Sequence, residues 1–410
     1  MAKRIGIIGA GTGGLHLGLR LRQHDIDATI ITDRRPEEFR NSRLMNTVAH
    51  HGITVQRETD MGVNHWPVQE HGYFGHYHSF AGEHPLRFYG EFRSPSRAVD
   101  YRIYTPALMN SFEQRGGVLE YRQIREEDIQ ELCSRFDLLV VCVGKSALSA
   151  MFGPDPSVPA FQKPLRQLCA GLYTGVADTE PRAVTFSVSP GHGEMIEIPM
   201  QSFGGRVTAL LFENIAGGDL EELTRFPVAT DPKGFRELVL KKLRLHHAAT
   251  FERVKESEFD LCGPLDVLQG AVVPTVRTGF QEIAAGKFAI ALGDFHVTVD
   301  PVIGQGANMA SHSAWVLAEA VASANVFDRA FCERVDAERK PRILSAFHWT
   351  NFMLQPPSQE FLGFVFAMSQ NKALCDEFTQ NFSYPERQWE HLKTPDRIAA
   401  WSNAKASGAA

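Results

Sequence analysis

Six residues, Gly9-Ala10-Gly11-Thr12-Gly13-Gly14, restrict this chain more than any other stretch of it. They follow a short apolar run at 5–8 and open the segment 15–23, whose leucines recur as in a helix buried on most sides. A second β-branched run at 28–32 completes a strand–helix–strand unit of about 30 residues. In a G-x-G-x-x-G turn at that place, Gly9 permits the tight bend and Gly11 lets backbone approach a pyrophosphate. Gly14 lets helix and strand pack closely. The helix start, with Thr12 in its first turn, offers unpaired N–H groups and a partial positive charge to phosphates. Outside a strand–helix–strand unit the same glycines would be an ordinary turn; inside one they predict a Rossmann-like dinucleotide site.

Such a site places a polar or acidic side chain at the end of the second strand, against the adenosine ribose. Thr32-Asp33-Arg34 stands there. Asp33 is the acidic candidate, with Thr32 one residue closer to the strand. Arg34 faces either the adenosine end or solvent.

The first unit does not choose between nicotinamide and flavin dinucleotides. A distant segment bears on the choice. An apolar strand at 288–292 delivers Gly293-Asp294, and Pro301-Val302-Ile303-Gly304-Gln305-Gly306-Ala307-Asn308 opens a helix over 307–323. A carboxylate after such a strand can bind ribityl hydroxyls. A helix start beside it can stabilise negative charge on a reduced flavin.

Other stretches differ in kind. A strongly apolar run at 137–143 predicts another buried strand. Segments 73–96 and 183–212 hold short β-rich runs bounded by Gly and Pro and predict an antiparallel sheet. From 307 to 355 the pattern is helical; Pro356-Pro357 interrupts it before a further helix at 359–380, and 403–410 read as a frayed end. Phe361, Phe364, Phe366 and Met368 are spaced as core. The expected division is 1–72, 97–165 and 273–330 for the dinucleotide-binding domain, 73–96 and 166–272 for a substrate-binding β-sheet domain, and 331–410 for a helical region. At 410 residues and 43% hydrophobic composition, a multi-domain core is affordable.

A net charge of −6 gives no basic field for nucleic acid or anionic lipid. The six cysteines form no C-x-x-C pair and read as free thiols, with Cys142 and Cys169 as buried small hydrophobes. No apolar run approaches the roughly 18 residues that span a bilayer, nor does the N-terminus read as a signal peptide. A cytoplasmic location is expected.

Together the glycine turn, the Gly-Asp pair and the P-x-x-G-x-G-x-N turn resemble the aromatic-hydroxylase class of flavoprotein monooxygenases. The whole chain, from Arg4-Ile5-Gly6 to Pro385-Glu386-Arg387-Gln388-Trp389, resembles the oxygenase subunits of two-component styrene monooxygenases, which are close to indole monooxygenases. The stretches Asn46-Thr47-Val48-Ala49-His50, Gly72-Tyr73-Phe74-Gly75-His76-Tyr77, Ser94-Pro95-Ser96-Arg97-Ala98-Val99-Asp100-Tyr101-Arg102 and Ser189-Pro190-Gly191-His192-Gly193-Glu194 carry the likeness.

The resemblance implies an α/β fold: a Rossmann-like FAD-binding domain with an interleaved β-sheet substrate domain and a helical C-terminal region. It implies FAD used as FADH₂, O₂ as cosubstrate and no metal. It also implies epoxidation of styrene to styrene oxide through a C4a-(hydro)peroxyflavin, the alternative being indole. Single-component hydroxylases carry an Asp-Gly pair after the strand at 137–143; here the chain reads Cys142-Val143-Gly144-Lys145. The glycine is kept and the aspartate replaced, which points to a flavin site without a nicotinamide site and to a separate NADH-dependent flavin reductase as partner. A homodimer is compatible with the family.

By the same resemblance Arg43 lies against FAD, Asn46 acts at the isoalloxazine edge, and Val48, His50, Tyr73, His76 and Ser96 line the side of a small apolar aromatic substrate. Gly144 and Arg102 align with flavin contacts; a helix-surface arginine is the other reading of Arg102. His50, His51, His71, His76 and His78 form no i,i+4 pair on a helix and no carboxylate-supported triad, so they read as pocket and surface side chains and not as metal ligands.

Overall fold

A computed structural model describes residues 3–143 and 147–406. The strand Arg4–Ile8 pairs in parallel with Asp27–Thr32 on one side and Leu138–Val141 on the other. Between the first two runs the helix Thr12–Gln23. Ile5, Ile7 and Ile30 are fully buried, as strands covered on both faces require. Each such side chain contributes about 1.5–3 kcal/mol of transfer free energy. Val118–Tyr121 adds in parallel to one edge, Lys287–Ala291 to the other, and Phe280–Ala284 joins antiparallel, completing a six-stranded sheet. The strand expected at 137–143 stops at Val141, leaving Cys142 and Val143 in the following loop.

A nine-stranded sheet covers the carboxyl-terminal side of this unit. Its long members are Gly72–Phe80, Leu86–Val99, Gln167–Thr174, Val184–Ser189, Gly193–Ser202 and Gly205–Asn214. The short strand Ala49–His50 pairs with Arg97 and Ala98 and so belongs to this sheet too. Sheet faces alternate: Ala170, Ala209 and Leu211 share one cluster, while Cys169, Leu210 and Phe212 turn to another under the helix Pro232–His246.

The helix Gly306–Ser323 packs on Thr12–Gln23, with Ala310, Ala314 and Leu317 in the same core. Beyond it come Arg329–Met353, Gln359–Gln370, Lys372–Gln380, Pro385–Leu392 and Pro395–Ala406. Ser358 and Asn371 cap the second and third of these through their side-chain oxygens. Phe364 and Met368 are core, whereas Phe366, spaced as core, is 57% exposed, because it lies on the outer face of its helix. Residues 403–406, expected to fray, continue the last helix. No helix among the described residues is long and apolar enough to cross a membrane.

One polar network crosses the interior. Glu58, with no solvent exposure, is ion-paired to Arg97 and accepts hydrogen bonds from His50 Nδ1 at 2.6 Å and Tyr104 at 2.7 Å. His16 lies between Tyr104 (2.8 Å) and Ser311 (3.0 Å). Helices at 12–23, 52–60, 101–114 and 306–323 are thereby tied to the strand Ala49–His50. Burial drives the Glu58 carboxyl up, but His50, Arg97 and His16 outweigh it and hold the group at about 2. A depressed carboxyl contributes stability above its ordinary range and loses it as pH falls toward 2. Glu58→Gln strands the Arg97 charge in the interior. Chemical denaturation at pH 7 should show a loss of about 3–5 kcal/mol, and the variant should lose the wild type's extra dependence on pH below about 4.5.

Candidate active site

The two sheets enclose a cavity of about 1340 Å³, above the roughly 300–1,000 Å³ of ordinary small-ligand pockets. It has room for a dinucleotide and a second, small ligand. Gly9, Gly11 and Thr12 form one end of it. Gly9 has φ +111°, a conformation that favours glycine, and its N–H donates to Ile31 at 2.8 Å. A Cβ on Gly14 would sit 2.1 Å from the Gly9 carbonyl, so the close approach of helix to strand depends on its absence. A Cβ on Gly11 would meet nothing within 4 Å and point into open space. No side chain caps this helix start, which leaves its first N–H groups to a ligand.

Thr32, Asp33 and Arg34 line the same end. Arg34 pairs loosely with Asp33 at 4.0 Å and lies over Phe39, with Arg43 also on the wall. Sequence reasoning missed the segment Arg122–Glu127 beside them. It follows Val118–Tyr121, the strand paired with Asp27–Thr32, and so lies at a strand's carboxyl end in the same parallel sheet.

At the centre, Asp294 is exposed to the cavity, and the protein packed around that cavity pushes its carboxyl up. Pro301, Gly304, Gly306 and Ala307 follow along the wall. Gly304 turns at φ +62°. The opposite wall is apolar: Leu168, Ala170, Leu211, Leu268 and Val299. Asn46 and Val48 lie on the cavity too, and Asn46 Oδ1 is buried with no hydrogen-bond donor among the described residues. Tyr101, unremarked as a site residue in the sequence, also lines it; its hydroxyl bridges Thr12 Oγ1 (2.5 Å) and His50 Nε2 (2.8 Å).

Several expected site residues lie behind this wall. His50 has both ring nitrogens occupied, by Glu58 and Tyr101. Tyr73 and Ser96 face each other across neighbouring strands, buried in the sheet. His76 is boxed by Phe382, Phe92 and Phe186 at ring distances of 4.3, 4.7 and 4.9 Å, and burial drives its imidazole well below the usual range. Arg102 is buried between Asp100 and Asp266, where its ion pairs fasten a helix start to the loop before Val267–Ala271. Gln305 donates to the Phe382 carbonyl at 2.9 Å. Asn308 donates to the carbonyls of Ala49 and Gly304 and accepts from His51 N–H and Thr54. Cys142, expected buried, is partly exposed on the cavity wall, a consequence of the strand ending one residue earlier. Gly144 falls outside the described residues.

These residues fit FAD: an uncapped helix start behind an open glycine face, a carboxylate at mid-cavity, and a second glycine turn leading into a helix. Comparison with known proteins agrees. A family model described as "Styrene monooxygenase A putative substrate binding domain" matches residues 144–253. Styrene monooxygenase StyA of Pseudomonas fluorescens is 52% identical over 409 residues, covering 98% of each chain; a second StyA, from a Pseudomonas species, is 52% identical over 407. Among solved structures, the flavin-dependent brominase Bmp2 superposes with a TM-score of 0.70 at 14% identity, over 100% of this chain and 99% of that one. PqsL of Pseudomonas aeruginosa, titled a probable FAD-dependent monooxygenase, gives 0.61 at 15%, over 96% and 100%. At such identities these two speak for the fold, which is the aromatic-hydroxylase type. The near-full-length likeness to the StyA proteins decides the family: this chain belongs to the styrene monooxygenases and is a flavoprotein monooxygenase.

Proposed function

We propose that the chain epoxidises styrene to styrene oxide with FADH₂ supplied by a separate NADH-dependent flavin reductase. The observation that carries the reading is the two-sided cavity: phosphate- and ribityl-binding groups on one face, an apolar wall on the other. The 52% identity to proteins named styrene monooxygenase supports the choice of substrate. In this reading 1–72, 97–165 and 273–330 hold the cofactor, and 73–96 and 166–272 cover the substrate. Reduced flavin with O₂ supplies an electrophilic oxygen.

The protein's own contribution is position and dryness. Gly11 and Thr12 present N–H groups to the pyrophosphate beside the Gly9 turn, and Arg34 and Arg43 add positive charge. Asp294 accepts from ribityl hydroxyls. Leu168, Ala170, Leu211 and Leu268 hold an apolar substrate and keep water out, with nothing on it to protonate. Asn46 offers an amide between the two halves. His50, Tyr73, His76 and Ser96 act one layer back, fixing the wall.

A single turnover tests the reading. Protein loaded anaerobically with chemically reduced FAD is mixed with O₂ and equimolar styrene and indole. Styrene oxide should dominate. A majority of indole-derived product would replace the substrate assignment, and hydrogen peroxide alone would overturn both.

Two substitutions separate cofactor binding from oxygen transfer. Gly11→Ala places a methyl in the open glycine face. It should leave the melting temperature within about 1 °C and weaken FAD binding more than about tenfold by flavin-fluorescence titration. Asn46→Ala should retain FAD. Loss of one hydrogen bond of about 1.4 kcal/mol should lower the ratio of epoxide to hydrogen peroxide formed about tenfold.

A further inference from the structure

Behind the apolar wall lies a group of charges that the reading above does not use. Glu213, on the strand Gly205–Asn214, is directly opposite Glu194 on one neighbouring strand and Leu168 on the other. It shares a face with Leu211, two residues earlier, which lines the cavity. Asp300 sits immediately before Pro301, at the start of the second glycine turn. Neither Glu213 nor Asp300 has any solvent exposure.

The guanidinium of Arg166 nearby is already committed. Arg166 holds Glu194 through Nε (2.8 Å) and Nη2 (2.9 Å), and its Nη1 donates to the carbonyls of Leu165 and Leu354. Among the described residues, no N–H or O–H donor reaches either oxygen of Glu213, nor Oδ2 of Asp300. What these oxygens face is each other. Asp300 Oδ1 accepts from Val302 N–H at 3.0 Å, which favours the charged form on the aspartate. Two buried carboxyls in contact cannot both be ionised, so the pair keeps one proton, and Glu213 is the member without a compensating donor.

We propose that Glu213 is a positioning residue: its protonated carboxyl donates to Asp300 and clasps the 300–304 turn to the cavity wall, making closure of the turn over the site dependent on pH. The charged groups facing the pair are Arg166 and Glu194, while His51 lies against the turn itself at Ile303 and Gly304, where burial lowers its imidazole to about 3 and keeps it neutral above pH 5. Burial, with Asp300 and Glu194 adding to it, drives the Glu213 carboxyl well above its usual range. The closed turn therefore holds a proton that an opened turn, with Glu213 in water, releases. Opening must become easier as pH rises from the ordinary carboxyl range to the raised one. That the clasped turn bears on a flavin rests on the proposed function; the clasp itself does not.

Hydrogen–deuterium exchange of the full chain, read on a peptide spanning 299–305, tests this. After correction for intrinsic exchange, the opening constant should rise about tenfold per pH unit within the interval between the two carboxyl ranges, sampled from pH 5 to 9. Glu213→Gln keeps a neutral donor toward Asp300 and should abolish the slope while preserving protection at low pH. Asp300→Asn removes the facing charge and should move the upper end of the interval to lower pH. A wild-type slope retained in Glu213→Gln overturns the clasp. Should that variant not fold, an unmoved interval in Asp300→Asn overturns it equally. FAD affinity measured over the same pH range should weaken in step with opening in the wild type only. A pH-dependent clasp with pH-independent FAD affinity would detach the turn from the cofactor.

Discussion

The carboxylate of Glu58 has no contact with water, and much of the molecule is arranged so that it can remain charged. Arg97 supplies the opposing charge from the strand Leu86–Val99, His50 and Tyr104 supply hydrogen bonds from the strand Ala49–His50 and the helix at 101–114, and His16 extends the network to the helices at 12–23 and 306–323. Removing any one partner leaves the others with buried, unmet demands, which is why such a network enforces one arrangement of its elements. Its consequence lies at the cavity. His50 is pinned, so Ala49–His50 is pinned, and with it the segment from Arg43 to Val48, which lines the cavity. Tyr101 extends the same chain of hydrogen bonds to Thr12 at the helix start.

Asn308 and the Arg166–Glu194–Glu213–Asp300 group serve the other side of the cavity in a similar way. Asn308 spends both of its amide groups on backbone and on Thr54, joining the Gly304 turn to residues 49–54. The acidic group lies between that turn and the nine-stranded sheet and reaches the C-terminal helices through Leu354. The cavity is therefore bounded by backbone held from behind by buried polar contacts, while one wall of its inner surface is apolar. That division suits a reaction in which the cofactor makes the bond and the protein supplies shape and exclusion of water.

Much of the architecture was legible before any coordinates. The first strand, helix and strand, the helix at 306–323 and the break at Pro356-Pro357 all rest on local chemistry: apolar period, glycine conformation and proline's missing N–H. Ile5, Ile7 and Ile30 were readable as core for the same reason. The cavity residues that follow strands of the parallel sheet, such as Thr32 and Asp294, could also be named, since in this topology ligands bind at the carboxyl ends of strands. Arg122–Glu127 obey that rule as well, but their strand, Val118–Tyr121, is short and only partly buried, so its period carried little signal.

What could not be read was which polar side chains look into the cavity and which are spent holding it. His50, Tyr73, His76 and Ser96 sit close in sequence to Asn46 and Val48 or across the same strands, yet they lie behind the wall. Arg102, Gln305 and Asn308 are neighbours of cofactor-facing positions and are consumed by Asp100 and Asp266, by Phe382 and by Ala49. The sequence alone determined the presence of a dinucleotide-binding strand–helix–strand unit, its glycine turn, the second turn at 301–308 and the helical end of the chain, because each depends on residues within one turn or one strand of each other. Only the tertiary structure decided the direction of each buried polar group, because a side chain's partner is chosen by what the fold brings from as far as 295 residues away, as His16 and Ser311 show.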